Sequence, residues 1–109
     1  MDLFATDITE QQPAATKQGV LVKIHTIGIA EHVIARAPDR LATLGLGSCV
    51  GLVLYDAVNK IGGMVHIMLP NAPRGETGVN KSKFADTAIE ELVRMMAQAG
   101  AQRPRLIAK

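Results

Sequence analysis

Two apolar stretches flanking a four-residue polar step constrain this chain more than any other feature. Val50-Gly51-Leu52-Val53-Leu54-Tyr55 and the run from Ile61 to Leu69 are apolar at nearly every position. Strict alternation would mark strands with one wet face, and its absence marks strands covered on both faces. Asp56-Ala57-Val58-Asn59 between them has turn chemistry, with Asp first and Asn last. The two stretches read as a β-hairpin with a loop of about four residues, its second strand stopped by Pro70.

Such a hairpin needs two covers, and the sequence offers one strong amphipathic helix. Ala85, Ala88, Ile89, Leu92, Val93, Met96 and Ala99 recur at i, i+3, i+4 spacing and form its apolar face. Ser82 is the expected N-cap, and Gly100 is placed to end the helix. In a chain of 109 residues the second face then calls for a partner or for further sequence. Leu106-Ile107-Ala108 also reads as a strand beginning. The expectation is an α+β (α/β) fold, a sheet core with a flanking helix, incomplete at its C-terminal side.

The remaining segments are shorter. Residues 1–18 hold scattered charges and a Gln-Gln-Pro step and read as a flexible tail, leaving 19–109 as one domain. Val20 to Ile27 is a β-branched strand. Gly28 to Asp39 is compatible with a short helical turn or an extended edge, ended by Pro38-Asp39. Leu41 to Leu44 is extended, and Asn71 to Asn80, with two prolines and two glycines, is an exposed loop.

Several function classes fall away on composition. Twelve Lys and Arg against ten Asp and Glu give a net charge of +2, and the only aromatic rings are Phe4, Tyr55 and Phe84. That is too little charge and too few stacking faces for a nucleic-acid binder. A single cysteine precludes an internal disulfide. No apolar run reaches membrane-spanning length, and the first residues lack a basic, signal-like start. The expected setting is a reduced cytoplasm, with no membrane insertion.

The chemistry-bearing candidates are Cys49, His66 and Thr43. A lone cysteine at the head of an apolar strand is ordinarily an inert, buried residue. Cys49, however, follows Gly45-Leu46-Gly47-Ser48, a turn able to expose the sulfur and to aim backbone N–H groups around Gly47, Ser48 and Cys49 at a developing oxyanion. If Tyr55 pairs with Lys60, Cys49 falls opposite His66, a register in which a thiolate–imidazolium pair can form. A bulge at Gly62-Gly63 would shift it. His66 alone reads first as a satisfied core histidine. Thr43 reads first as a β-branched strand residue; it reaches the other two only if the glycine turn folds the chain back, since six extended residues span roughly 20 Å. Its hydroxyl or carbonyl could then orient an imidazole. A zinc site from His25, His32, Cys49 and His66 matches no local ligand spacing. Gly45-x-Gly47 lacks the third glycine of a dinucleotide loop, and Met64, Met68, Met95 and Met96 read as core filling.

Taken together, Thr43-Leu44-Gly45-Leu46-Gly47-Ser48-Cys49-Val50, Tyr55-Asp56 and Gly63-Met64-Val65-His66-Ile67-Met68-Leu69-Pro70 resemble the CheD family of chemoreceptor glutamine deamidases. Ile27 to Glu31 and Lys83 to Ile89 look like that family's flanking segments, so the resemblance runs from about Val22 to Lys109. It implies a cysteine-hydrolase deamidase with a β-sandwich-like core and a Cys49, His66, Thr43 triad. It implies hydrolysis of glutamine side-chain amides on methyl-accepting chemotaxis receptors, with no metal or organic cofactor. Some members are also credited with receptor methyl-ester hydrolysis, and a CheC-type phosphatase is the usual partner. Members continue beyond a segment like Leu106 to Lys109 with a glycine-rich strand and further sheet, so the resemblance implies a missing C-terminal part. That departure keeps a second reading open, an inactive or truncated module that docks on receptors or on the phosphatase.

Overall fold

The computed structural model describes residues 14–15 and 21–109. The tail expected over 1–18 lies outside them, except that β1 (Ala14–Ala15) pairs antiparallel with β2 (Leu21–Val22). The strand expected from Val20 to Ile27 divides into β2 and β3 (Ile24–Ile27). The ambiguous stretch after it is extended, with β4 at His32–Arg36, and β5 (Arg40–Thr43) follows. The hairpin is β6 (Val50–Asp56) and β7 (Ile61–Ile67); α1 spans Ala85–Gln98 and β8 spans Ile107–Ala108. One sheet has the order β4-β7-β6-β8, with every pair antiparallel, and β3 pairs in parallel with β5. The fold is α+β.

All seven residues of β7 are buried. On one face Ile61, Val65 and Ile67 pack with Leu54 against Ala88, Leu92, Met96 and Ala101. Gly63 lets the helix come this close: a Cβ there would lie 2.8 Å from Met96 Sδ and 3.0 Å from Leu92 Cδ1. On the other face Met64 joins Ile27, Ala35, Leu41 and Val53. The cover expected from a partner or from further sequence is thus supplied, for β7, by β3 and β5. Each fully buried Val, Leu, Ile or Met side chain in these clusters contributes about 1.5–3 kcal/mol. The sequence reading of the apolar residues fails at the ends of the hairpin, where Val50 and Leu69 are exposed, and at two further places. Ile89 and Met68 are exposed, because Ile89 turns off the sheet-facing stripe of α1 and Met68 lies past the end of β7.

Three local expectations are corrected. The hairpin register is set by Tyr55 pairing with Gly62 and Asp56 with Ile61, so Gly51, not Cys49, lies opposite His66. No bulge causes this. Asp56 is the last strand residue, and its carboxylate accepts from the Val58 and Asn59 N–H groups, placing the loop at 57–60. Ser82 is not the N-cap; that position is Phe84, which makes no side-chain capping bond. The free amides of the first turn are met by backbone instead, Ala85 N–H donating to the Leu69 carbonyl and Asp86 N–H to Pro70. The return strand ends at Ile67 rather than Leu69, and Leu69 bridges to Phe84. Gly100 does end the helix: with φ +110° it allows Ala101 N–H to reach the Met96 carbonyl and its own N–H to reach Ala97, a Schellman motif.

Asp56 is fully buried and also accepts from the Asn59 side-chain amide and from Gln102 N–H, just beyond the helix. These donors, Asn59 first and Gln102 second, hold its carboxyl down at about 2 against the opposing effect of burial. A lowered carboxylate stabilises the fold fully above its unfolded value of 3.8 and ceases to do so as pH falls toward 2. Asp56→Asn is therefore expected to lower the urea midpoint at neutral pH. It should also flatten the decline in that midpoint between about pH 4 and about pH 2, read by circular dichroism at each pH.

Candidate active site

The site is built where β5, β7 and the turn before β6 meet. His66 lies on the face of β7 turned away from the helix, the parity of Met64, and is fully buried. Thr43 ends β5 and is buried as well. Its Oγ1 is 2.9 Å from the Ile27 carbonyl oxygen and 2.9 Å from His66 Nδ1.

Those two contacts fix the imidazole. A threonine hydroxyl has one proton to donate, and the Ile27 carbonyl can only accept. The hydroxyl proton therefore goes to Ile27, and His66 Nδ1 must donate to Thr43. In the neutral ring Nε2 is then the bare, basic nitrogen, and it has no hydrogen-bond partner among the described residues. The main chain of His66 is tied too, its N–H donating to Glu31 and its carbonyl accepting from Ala30.

The glycine turn supplies the nucleophile candidate. Gly45 and Gly47 have φ of +64° and +49°, left-handed values that side-chain-bearing residues adopt at a cost. Cys49 N–H donates to the Leu46 carbonyl across this turn at 2.6 Å. The chain does fold back: a Cβ on Gly51 would lie 3.3 Å from Leu46 Cδ2 and 3.5 Å from Thr43 Cγ2. Thr43 thus reaches the start of β6 despite the six-residue spacing. Cys49 stands two residues before Gly51, the cross-strand partner of His66, and is half-exposed rather than buried. Gly47 and Ser48 are exposed beside it.

The histidines do not converge. His25 Nε2 lies 2.9 Å from Asp39 Oδ2, and this contact holds the Asp39 carboxyl below its ordinary range. His32 Nδ1 is 2.8 Å from Ser82 Oγ, and His66 faces Thr43. Among the described residues no three His, Cys, Asp or Glu side chains gather as a metal site. No helix in them is long and apolar enough to cross a membrane. The sequence reading missed the backbone partners of the site, Ile27, Ala30 and Glu31. Backbone carbonyls carry no residue-type signal; the sole trace was the likeness of Ile27 to Glu31 to a family segment.

The model of a family described as CheD chemotactic sensory transduction matches residues 68–109. A probable chemoreceptor glutamine deamidase CheD of Moorella thermoacetica is 54% identical over 83 residues, covering 76% of this chain and 50% of that protein. The chemoreceptor glutamine deamidase CheD of Bacillus subtilis is 45% identical over 96 residues, 87% of this chain and 56% of its own length. A match that long runs across Thr43, Cys49 and His66. The chain spans about half the length of the curated relatives it matches.

Replacing Thr43 tests the geometry alone. Thr43→Val keeps the shape and strands both His66 Nδ1 and the Ile27 carbonyl, at a cost of about 1–3 kcal/mol for each unsatisfied buried group. Denaturant titration should register that loss, and ¹⁵N spectra of the imidazole should move away from the Nδ1-protonated form. Thr43→Ser should restore the spectrum.

Proposed function

Taking as premise that this chain is a relative of the CheD proteins over about half their length, we propose that it hydrolyses glutamine side-chain amides of chemoreceptors to glutamate. The observation that carries this reading is the buried Thr43–His66 pair. It leaves Nε2 without a hydrogen-bond partner among the described residues, and the half-exposed Cys49 stands two residues before Gly51, the cross-strand partner of His66. In the proposed reaction His66 Nε2 takes the Cys49 proton and the thiolate sulfur attacks the amide carbon. The oxygen of the tetrahedral intermediate is held by backbone amides of Gly47 and Ser48, because the Cys49 amide is committed to Leu46. The carbon–nitrogen bond then breaks, and ammonia leaves with the proton from the imidazolium. A water molecule gives its proton to Nε2 and its oxygen to the thioester carbon, releasing glutamate and the thiol. Thr43 serves throughout as the positioning residue that keeps Nδ1 protonated.

Chemoreceptor substrates and a CheC-type phosphatase partner, in a cytoplasmic setting, belong to the same proposal. Receptor methyl esters would meet the same nucleophile, with methanol rather than ammonia leaving.

Cys49→Ala and His66→Ala are each expected to abolish ammonia release from receptor signalling fragments and the accompanying amide-to-acid mass change. Retained activity in either variant would falsify the assignment. Mild alkylation near neutral pH offers a second check. Cys49 should react faster than a free thiol in the wild type, and the excess should vanish in His66→Ala. Receptor binding without ammonia release or methanol release would instead identify a docking module.

A further inference from the structure

We infer that Asn80, an exposed residue far from Cys49 in sequence, is a positioning residue for His66. The inference rests on the functional reading above only for its kinetic consequence. The path runs through the turn between β3 and β4. Ala30 sits there with φ +63°, a left-handed conformation that disfavours any residue bearing a Cβ. The same residue donates its N–H to the His66 carbonyl at 2.9 Å, and the neighbouring Glu31 carbonyl accepts from His66 N–H at 3.1 Å. The strained turn therefore holds both backbone groups of the histidine.

Asn80 is what closes the turn from outside. Its Nδ2 donates to the Ala30 carbonyl at 3.0 Å, while its Oδ1 accepts from Ser82 N–H at 2.9 Å. These two partners fix the amide orientation, since a flipped amide would set donor against donor and acceptor against acceptor. Ser82 in turn bonds His32, the first residue of β4, and Asn80's own carbonyl accepts from Lys83 N–H. Within the turn, Gly28 N–H donates to the Glu31 carboxylate. The loop that the sequence reading left without a role thus reaches His66 through two residues, Asn80 and Ala30. If Ala30 relaxes from its left-handed conformation, the His66 backbone loses its partners and the 2.9 Å contact from Nδ1 to Thr43 loosens.

The test uses two variants of the intact protein. Asn80→Ala removes both side-chain bonds. Asn80→Asp keeps an acceptor for Ser82 but turns an oxygen toward the Ala30 carbonyl. Both are expected to shift the His66 imidazole ¹⁵N signals away from the Nδ1-protonated form at temperatures where circular dichroism reports a folded protein. Both should lower kcat on receptor fragments at least about tenfold, within the roughly hundredfold cost of misplacing a reacting group by an ångström, with little change in KM. Wild-type ring signals in both variants would overturn the proposal. So would wild-type behaviour of Asn80→Asp alone, since the Ser82 contact would then be the one that matters. The spectra are recorded in a Cys49→Ala background as well, so the ring arm stands even if the wild type releases no ammonia. That last result would fail the deamidase reading and leave the positioning role to be decided by the signals.

Discussion

Everything else in this molecule is arranged around one strand that is buried along its whole length. β7 is buried at all seven positions, and a strand in that condition must be paired on both edges and packed on both faces. β4 and β6 satisfy its edges, α1 covers one face, and the β3–β5 pair covers the other. The polar exception on β7 is His66, whose burial is tolerable because Thr43 and the 28–31 turn satisfy three of its four hydrogen-bonding groups. The fourth, Nε2, is the one the proposed chemistry needs.

The site is therefore a by-product of how the second face is covered. β5 meets β7 because its Leu41 fills the core beside Met64, and the same packing delivers Thr43 to His66. A parallel β3–β5 pair brings Ile27 alongside Thr43, so the carbonyl that takes the threonine proton comes from the same register that builds the core. Orientation of the His66 imidazole and apolar burial are supplied by one set of contacts.

What could be read from the sequence was whatever leaves a periodic or residue-specific mark. The two-faced hairpin, the helix and its glycine stop carry such marks, as does the extended piece read at Leu41 to Leu44, which the structure places one residue earlier at Arg40–Thr43. The hairpin register did not, because Asp56 can close a loop as its first residue or end a strand as its last. Only its capture of the Val58 and Asn59 amides decides between them. The helix start was misread at Ser82 for a related reason: a serine there satisfies the rule for capping, but the Leu69 and Pro70 carbonyls reach the free amides first. Of the candidate site, Thr43 and His66 are in contact, a pairing that only the family resemblance suggested, and the second cover of β7 left no mark in the sequence. That cover comes from non-local packing of short strands whose own patterns are unremarkable.

One pair of contacts at opposite ends of α1 has a bearing on how the molecule opens. The helix begins on carbonyls just past the end of β7, and the segment leaving it is pinned by Asp56 at the far end of the hairpin. Fourteen helical residues rise about 21 Å and seven strand residues about 23 Å, so helix and strand are matched in length and fastened at both ends. Neither can fray without releasing the other. Amide hydrogens of α1 and β7 should then belong to one cooperative exchange unit, and the imidazole rides on its most slowly opening part.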